Sequence, residues 1–212
     1  MSNLMPFRSV LLLALAPQLS VSAFEMSEPA ALFAKHMQTA GGACRFESNT
    51  TVALSGVIEE FGREISFQFR AKAPGLLLLE TTGPNGKPIV MGRGSNGRFW
   101  TRGRATVYYA PAELAILWCP FSLPGLSDRL TDALVRESVA NGRRAWVAGS
   151  SRPSSGGRFT RIYFDAETGR ISGAGHTRCR DWTQVEGVTI PRALTQHGVV
   201  TFRVDQILLN PV

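Results

Sequence analysis

The stretch RIYFDAETGRI, residues 161–171, sets Asp165 and Glu167 two positions apart among apolar neighbours. Paired carboxylates are the residue types of general acid and general base catalysis, which needs burial or a charged neighbour to tune the two groups. The surrounding pattern points elsewhere. Thr160, Ile162 and Phe164 alternate with Arg161 and Tyr163, and Ile171 resumes the apolar series after Gly169. Asp-Ala-Glu-Thr-Gly between two alternating runs is a hairpin loop, in which Asp165 accepts hydrogen bonds from loop amides and Gly169 takes a positive φ. Acids at a loop tip are solvated, so the stretch reads as a turn.

Other reactive side chains assemble no better. The histidines are His36, His176 and His197, and the chain holds no G-x-S-x-G, H-E-x-x-H or C-x-x-C-H motif. Ser127 and Asp128 adjoin, but no histidine partner is set by spacing. Cys44, Cys119 and Cys179 with His176 have zinc-ligand chemistry, yet only His176 and Cys179 are near in sequence and paired C-x-x-C spacing is missing. No metal and no cofactor are expected. Three cysteines permit at most one internal disulfide, in any of three pairings, and a disulfide or buried thiols is the expected state. Gly83, Gly86 and Lys87 fail P-loop spacing, and Pro88 follows the lysine, so they make a turn. The cluster Arg93, Arg98, Arg102 and Arg104 has the charge to meet anionic lipid or nucleic acid. Because the arginines are otherwise dispersed, it reads as a solvated face of strands and turns, with no nucleic-acid partner. The residue types give no support to an enzyme.

The elements that must position these side chains come from a chain of 212 residues with net charge +7, 44% hydrophobic and 18% charged. That suits one globular domain and excludes disorder. The first 23 residues run from a short start bearing Arg8, through apolar Val10–Ala16, to Val21-Ser22-Ala23. That is the order of a secretory signal peptide, too short and too interrupted by Pro17 to span a bilayer. Cleavage after Ala23 is expected, with no cysteine there for lipid attachment. Residues 24–212 are then a single domain, soluble and periplasmic, in a compartment that permits disulfides.

SEPAALFAKHMQTAGG predicts a helix, with Ser27 as cap, Glu28 at the positive end of the dipole and Pro29 in the first turn. Ala30, Phe33, Ala34 and Met37 give it one apolar face, His36 and Lys35 lie off that face, and Gly41-Gly42 stops it. Almost everything later has period two. In REISFQFRAKA, Ile65, Phe67, Phe69 and Ala71 point one way and Glu64, Ser66, Gln68 and Arg70 the other. LLLLETT, PIVMGR, RFWT, ATVYYA, LVRESV, RRAWVAGSS and RFTRIYF follow, separated by turns that include Pro84-Asn85-Gly86-Lys87, Gly94-Ser95-Asn96-Gly97 and Asn141-Gly142. These predict a mainly β fold with a few helices and an antiparallel, meander-like sheet. The segment Pro111–Leu134 breaks the pattern. It is apolar, partly helical and interrupted by Pro120 and Pro124, and an insertion of that kind must cover something.

In order along the chain, KHMQTAGG, FRAKAPGLLLLE, GRRAWVAG, RIYFDAETGRI and DWTQVEGVTIPRAL, with the closing VDQILLNPV, resemble the LolA/LolB-like superfamily of outer-membrane lipoprotein carriers. The resemblance covers roughly Ser27 to Pro211. It implies a strongly curved sheet forming an incomplete, half-open β-barrel with a helical lid, and a cavity that holds acyl chains in lipoprotein sorting. On that reading the cavity wall is Phe67, Phe69, Leu77, Met91, Trp100 and Tyr109, and the lid is Leu117, Trp118, Phe121 and Leu126. The implied function is a soluble, monomeric, non-enzymatic periplasmic carrier binding a lipid or lipoprotein acyl chain, with membrane-bound donor and acceptor proteins as partners. The alternative is a non-catalytic envelope interaction or sensor module of the same fold that binds a protein. A hydrolase built on the sheet ranks last. Phe67, Phe69, Trp100, Trp118 and Trp146 also suit an ordinary core, which would leave the barrel filled by its own side chains.

Overall fold

The alternating segments become the strands of one sheet in the computed structural model, which describes residues 28–73, 75–83, 85–96, 98–103, 111–119, 133–140, 142–150 and 161–211. The expected signal peptide and the cap Ser27 lie outside the described residues. Among the described residues twelve strands run in chain order: β1 (Thr51–Glu60), β2 (Arg63–Lys72), β3 (Leu76–Thr82), β4 (Pro88–Arg93), β5 (Phe99–Arg102), β6 (Ala133–Ala140), β7 (Arg143–Ser150), β8 (Ile162–Asp165), β9 (Ile171–Ala174), β10 (Thr177–Val185), β11 (Val188–Gln196) and β12 (Val200–Leu209). Three helices accompany them, α1 (Pro29–Thr39), α2 (Ala43–Ser48) and α3 (Pro111–Trp118).

The order across the sheet is β5-β4-β3-β2-β1-β12-β11-β10-β9-β8-β7-β6, antiparallel throughout. Neighbours in the sheet are neighbours in sequence except at the seam, where β1 pairs with β12. Among the described residues β5 and β6 do not pair with each other, so the sheet is an incomplete barrel, as expected. Tight two-residue turns serve the hairpins. Phe61-Gly62 and Glu186-Gly187 both take positive φ, the backbone twist that matches flanking strands. At the seam a bulge between Ser55 and Gly56 brings the Gly56 Cα against β12, where a Cβ would stand 1.9 Å from the Arg203 carbonyl oxygen.

Alternation settles the faces. β1 buries every second residue along its length, and β2 buries Phe67, Phe69 and Ala71 while Arg70 and Lys72 are exposed. The main core lies on one face of the sheet, where Leu54, Ile58, Leu79, Phe164, Leu194 and Phe202 meet α1 and α3. A smaller cluster of Ala140, Ala145, Val147 and Tyr163 occupies the other face, and the Arg178 guanidinium lies 3.9 Å above the Tyr163 ring.

Asp165–Gly169 is the hairpin turn expected. Asp165 Oδ1 accepts from the Thr168 N–H at 2.7 Å and its hydroxyl at 2.9 Å, and Gly169 has φ 74°. Partial burial works against the Asp165 charge, but the bonds from Thr168 prevail and hold its carboxyl below the usual range. Helix α1 begins at Pro29 and stops before Gly41-Gly42, both at positive φ, also as expected. Its buried face is a correction. Ala30 and Ala34 are exposed, and Leu32, Phe33 and His36 go inward. The reason is the β8–β9 hairpin: Phe33 meets Phe164 edge to face at 5.2 Å, and His36 Nδ1 accepts the Ile171 N–H at 3.0 Å beside a register shift in that hairpin. All three cysteines are free, Cys44 exposed on α2 and Cys119 and Cys179 buried, so the thiol alternative holds rather than the disulfide.

Candidate functional site

Helix α3 lies against the concave side of the sheet, over β9, β10 and β11. Pro111 opens it, where a missing N–H costs nothing, and Leu114, Ile116, Leu117 and Trp118 are all buried. Two different attachments hold its ends. At the first turn the Glu113 carboxylate is buried, accepting the Thr177 hydroxyl on Oε2 and the His176 N–H at 3.2 Å on Oε1. Thr177 Oγ1 in turn accepts from Gln196 Nε2 at 2.9 Å, which ties β10 to β11 beneath the helix. Buried polar groups of this kind are costly unless partnered, and these satisfy one another. Above them the rings of His176 and His197 stack at 4.8 Å.

At the last turn the attachment is aromatic. Trp118 is fully buried, stacked on Phe67 with centroids 5.6 Å apart and edge-on to Phe69 at 5.2 Å and Phe202 at 5.6 Å. Its indole N–H donates to the Pro191 carbonyl at 3.2 Å. The indole thus fills the middle of the concave face, with its polar atom satisfied.

Of the residues expected in the cavity wall, Phe67, Phe69, Leu77 and Met91 are buried in the main core on this face. Trp100 is not with them. It pairs with Gly92 and lies 46% exposed, with its ring over the Gly92 Cα on the opposite face. Tyr109 lies outside the described residues. Of the expected lid, Leu117 and Trp118 are buried against the sheet, while Phe121 and Leu126 lie outside the described residues. Leu134, at the end of the expected covering segment, belongs to β6 and is exposed. Structure therefore brings Phe67, Phe69 and Trp118 into direct contact.

Sequence reasoning missed Glu113, Thr177, Gln196 and Phe202. Glu113 carried one usable signal, an acid in the first turn of an otherwise apolar helix. Thr177 and Gln196 are polar residues at inward positions of β10 and β11, a signal that needs the register to be known. Among the described residues no group of three His, Cys, Asp or Glu side chains is gathered as metal ligands. The thiols of Cys119 and Cys179 are pushed well above their ordinary range by burial, with Arg178 acting weakly the other way at Cys179. Neither is suited to act as a nucleophile.

No family model matches the sequence, and no curated protein matches it. Solved structures align with most of the chain. A LolA superfamily protein from Nitrosomonas europaea is similar over 87% of this chain and 94% of its own, at 8% identity and TM-score 0.47. An outer-membrane lipoprotein-sorting protein domain from Vibrio parahaemolyticus is similar over 84% and 93%, at 8% identity and TM-score 0.42. A DUF1329 family protein from Desulfovibrio piger follows at 9% identity and TM-score 0.39, over 87% and 94%. At such identities the likeness says nothing of ligand or activity, and the functional reading rests on the chain's own geometry.

Proposed function

We propose that the chain is a non-enzymatic carrier that binds a lipid or lipoprotein acyl chain on the concave face of its half-open sheet. In this reading Trp118 occupies the acyl site when no cargo is bound. The observation that supports it is the placement of Trp118. The ring is bracketed by Phe67, Phe69 and Phe202, all on the sheet, and is carried by a short helix that follows β5 and precedes β6 in the chain.

Magnitudes agree with an exchange. A buried tryptophan covers about 200 Å², worth about 5 kcal/mol at about 25 cal/mol per Å². Each buried methylene is worth about 0.8 kcal/mol, so six or seven methylenes offset the loss of the indole contacts and a longer acyl chain exceeds it. The Glu113–Thr177 attachment lets the helix keep one end fixed while the other moves. The protein is on this reading secreted, cleaved after Ala23, soluble and monomeric in the periplasm, and meets membrane-bound donor and acceptor proteins. No helix among the described residues is long and apolar enough to cross a membrane.

The test is native mass spectrometry of the protein isolated without detergent, followed by solvent extraction and by uptake of a fluorescent fatty acid. A co-purifying acyl lipid, and greater uptake by Trp118→Ala than by wild type, support the carrier. A clean apo mass with no uptake by either protein overturns it. A stoichiometric protein partner without lipid would instead favour the interaction-module reading.

A further inference from the structure

The convex face, opposite α3, carries a second feature that the carrier reading does not use. Its register places one residue from each of six strands in a row: Trp100, Gly92, Leu78, Arg70, Ala53 and Leu208. Beside this row Lys72 stands between Thr51 and Leu76, and Pro211 closes the end. Ala53, Arg70 and Leu78 of this row, with Thr51, Lys72, Leu76 and Pro211, line an open groove of about 650 Å³, and Trp100 and Leu208 stand at the two ends of the row outside its lining. Its floor is apolar, from Ala53, Leu76, Leu78 and Pro211, and its charges are Arg70 and Lys72, with no carboxylate in the lining.

The rest of this face shows that the charge here is local. Further along the same strands Arg203 is bridged by Glu59 at 2.8 Å and Glu64 at 2.7 Å. Arg70 instead donates to the neutral Gln68 at 3.0 Å. The next acid on β3, Glu80, stands opposite Gln68 and Val90 rather than opposite either cation. At the rims large apolar groups face water: Trp100 at 46%, Leu208 at 44% and Leu76 at 36% exposure. Exposed Arg98 and Arg102 flank Trp100 on its own edge of the sheet.

We infer that this end of the convex face is a docking surface for the surface of an anionic phospholipid bilayer. Cations over an apolar floor suit lipid phosphates above acyl carbons, and the half-exposed indole is the side chain that sits at headgroup depth. A long cationic side chain lays its stem along apolar surface and its head towards phosphate. The groove is open, which fits a surface better than an enclosed ligand. The inference goes beyond the carrier proposal and uses none of its residues. A protein that docks by its convex face leaves the α3 side accessible.

The test is co-sedimentation of the full chain with vesicles of phosphatidylglycerol mixed with phosphatidylcholine, and with phosphatidylcholine alone. Variants are compared in otherwise identical chains, so the apolar N-terminal run contributes equally to each. Expected is a preference for the anionic vesicles that falls as salt rises. Arg70→Gln with Lys72→Gln should weaken binding about thirtyfold, at the strength typical of two cations near an anionic leaflet. Trp100→Ala should weaken it too, whereas Arg63→Gln with Arg180→Gln, the same charge removed elsewhere, should not. Far-ultraviolet circular dichroism confirms the fold of each variant. Equal binding to both vesicles, equal loss from both double variants, or no loss from Arg70→Gln with Lys72→Gln overturns the inference. So does an acidic protein partner lost with that double variant while vesicle binding persists.

Discussion

Trp118 lies stacked on Phe67 with ring centroids 5.6 Å apart and planes 7° from parallel, one ring carried by a helix and the other by the sheet. Truncating Trp118 to alanine removes a fully buried side chain and should cost about 3–5 kcal/mol. Thermal unfolding measures it: the midpoint should fall by about 6–20 °C for a chain of this size. A fall of a degree or two would mean that α3 is not part of the folded core.

The polar attachment of α3 predicts coupling rather than two independent losses. Glu113→Gln should cost about 1.5–3 kcal/mol, because it replaces a charge-assisted acceptor. Thr177→Val removes the hydroxyl shared by Glu113 and Gln196 and should cost about 1–3 kcal/mol. In a double-mutant cycle the pair should lose less than the sum, with an interaction of at least about 0.5 kcal/mol. Strict additivity in urea unfolding would show that the contact does not hold the helix.

Acid should loosen α1 through His36. Burial first, and the Arg170 guanidinium second, lower its pKa to about 4 from 6.5. Between those values the unfolded chain binds a proton that the folded chain refuses, so stability rises with pH across that window. The contribution is complete above about pH 6.5 and is lost as pH falls through about 4, a change of about 3 kcal/mol. His36→Gln, which can still accept the Ile171 N–H, should flatten this dependence. Wild type and variant showing parallel stability from pH 4 to 7 would remove His36 as the cause.

Thiol chemistry should separate the cysteines. Cys44 is exposed, whereas Cys119 and Cys179 are buried with their thiols held protonated. A thiol-reactive dye should label Cys44 alone in the native protein and all three in denaturant. Fast native labelling of Cys119 would show that the end of α3 opens readily.

Gly56 tests the seam. A Cβ there would meet the Arg203 carbonyl oxygen of β12 at 1.9 Å, backbone that cannot swing aside. Gly56→Ala should therefore destabilise by about 1–3 kcal/mol or more, read from the urea midpoint. An unchanged midpoint would place β12 elsewhere.

How much of this was legible beforehand depended on how local the deciding contact is. Period-two runs such as REISFQFRAK and turns such as Asp165–Gly169 are set within a few residues, and they formed where expected. The α1 face was not legible, because periodicity scores Ala30 and Ala34 as apolar although they have little surface to bury. His36 goes inward because a backbone N–H some 135 positions later needs an acceptor. Trp100 was misplaced for a related reason. Alternation within the four residues of β5 cannot say which side is concave, and only pairing with Gly92 decides it. Trp118 was recognised as covering the sheet, but the sequence does not show that it reaches Phe67, because that contact joins segments about fifty residues apart.

The seam also fixes the order in which this molecule can be completed. β1–β5 and β6–β11 are two meanders of neighbouring hairpins, each built from local pairings. Among the described strands only β12, the last of them in the chain, joins the two, and it enters at the middle of the sheet rather than at an edge. Until Val200–Leu209 has emerged, β1 and β11 both present unpaired backbone beside apolar faces, the hazard that makes partly made sheets aggregate. Folding is therefore gated by Val200–Leu209, and a nascent form stalled just short of that strand is two half-sheets waiting for a keystone.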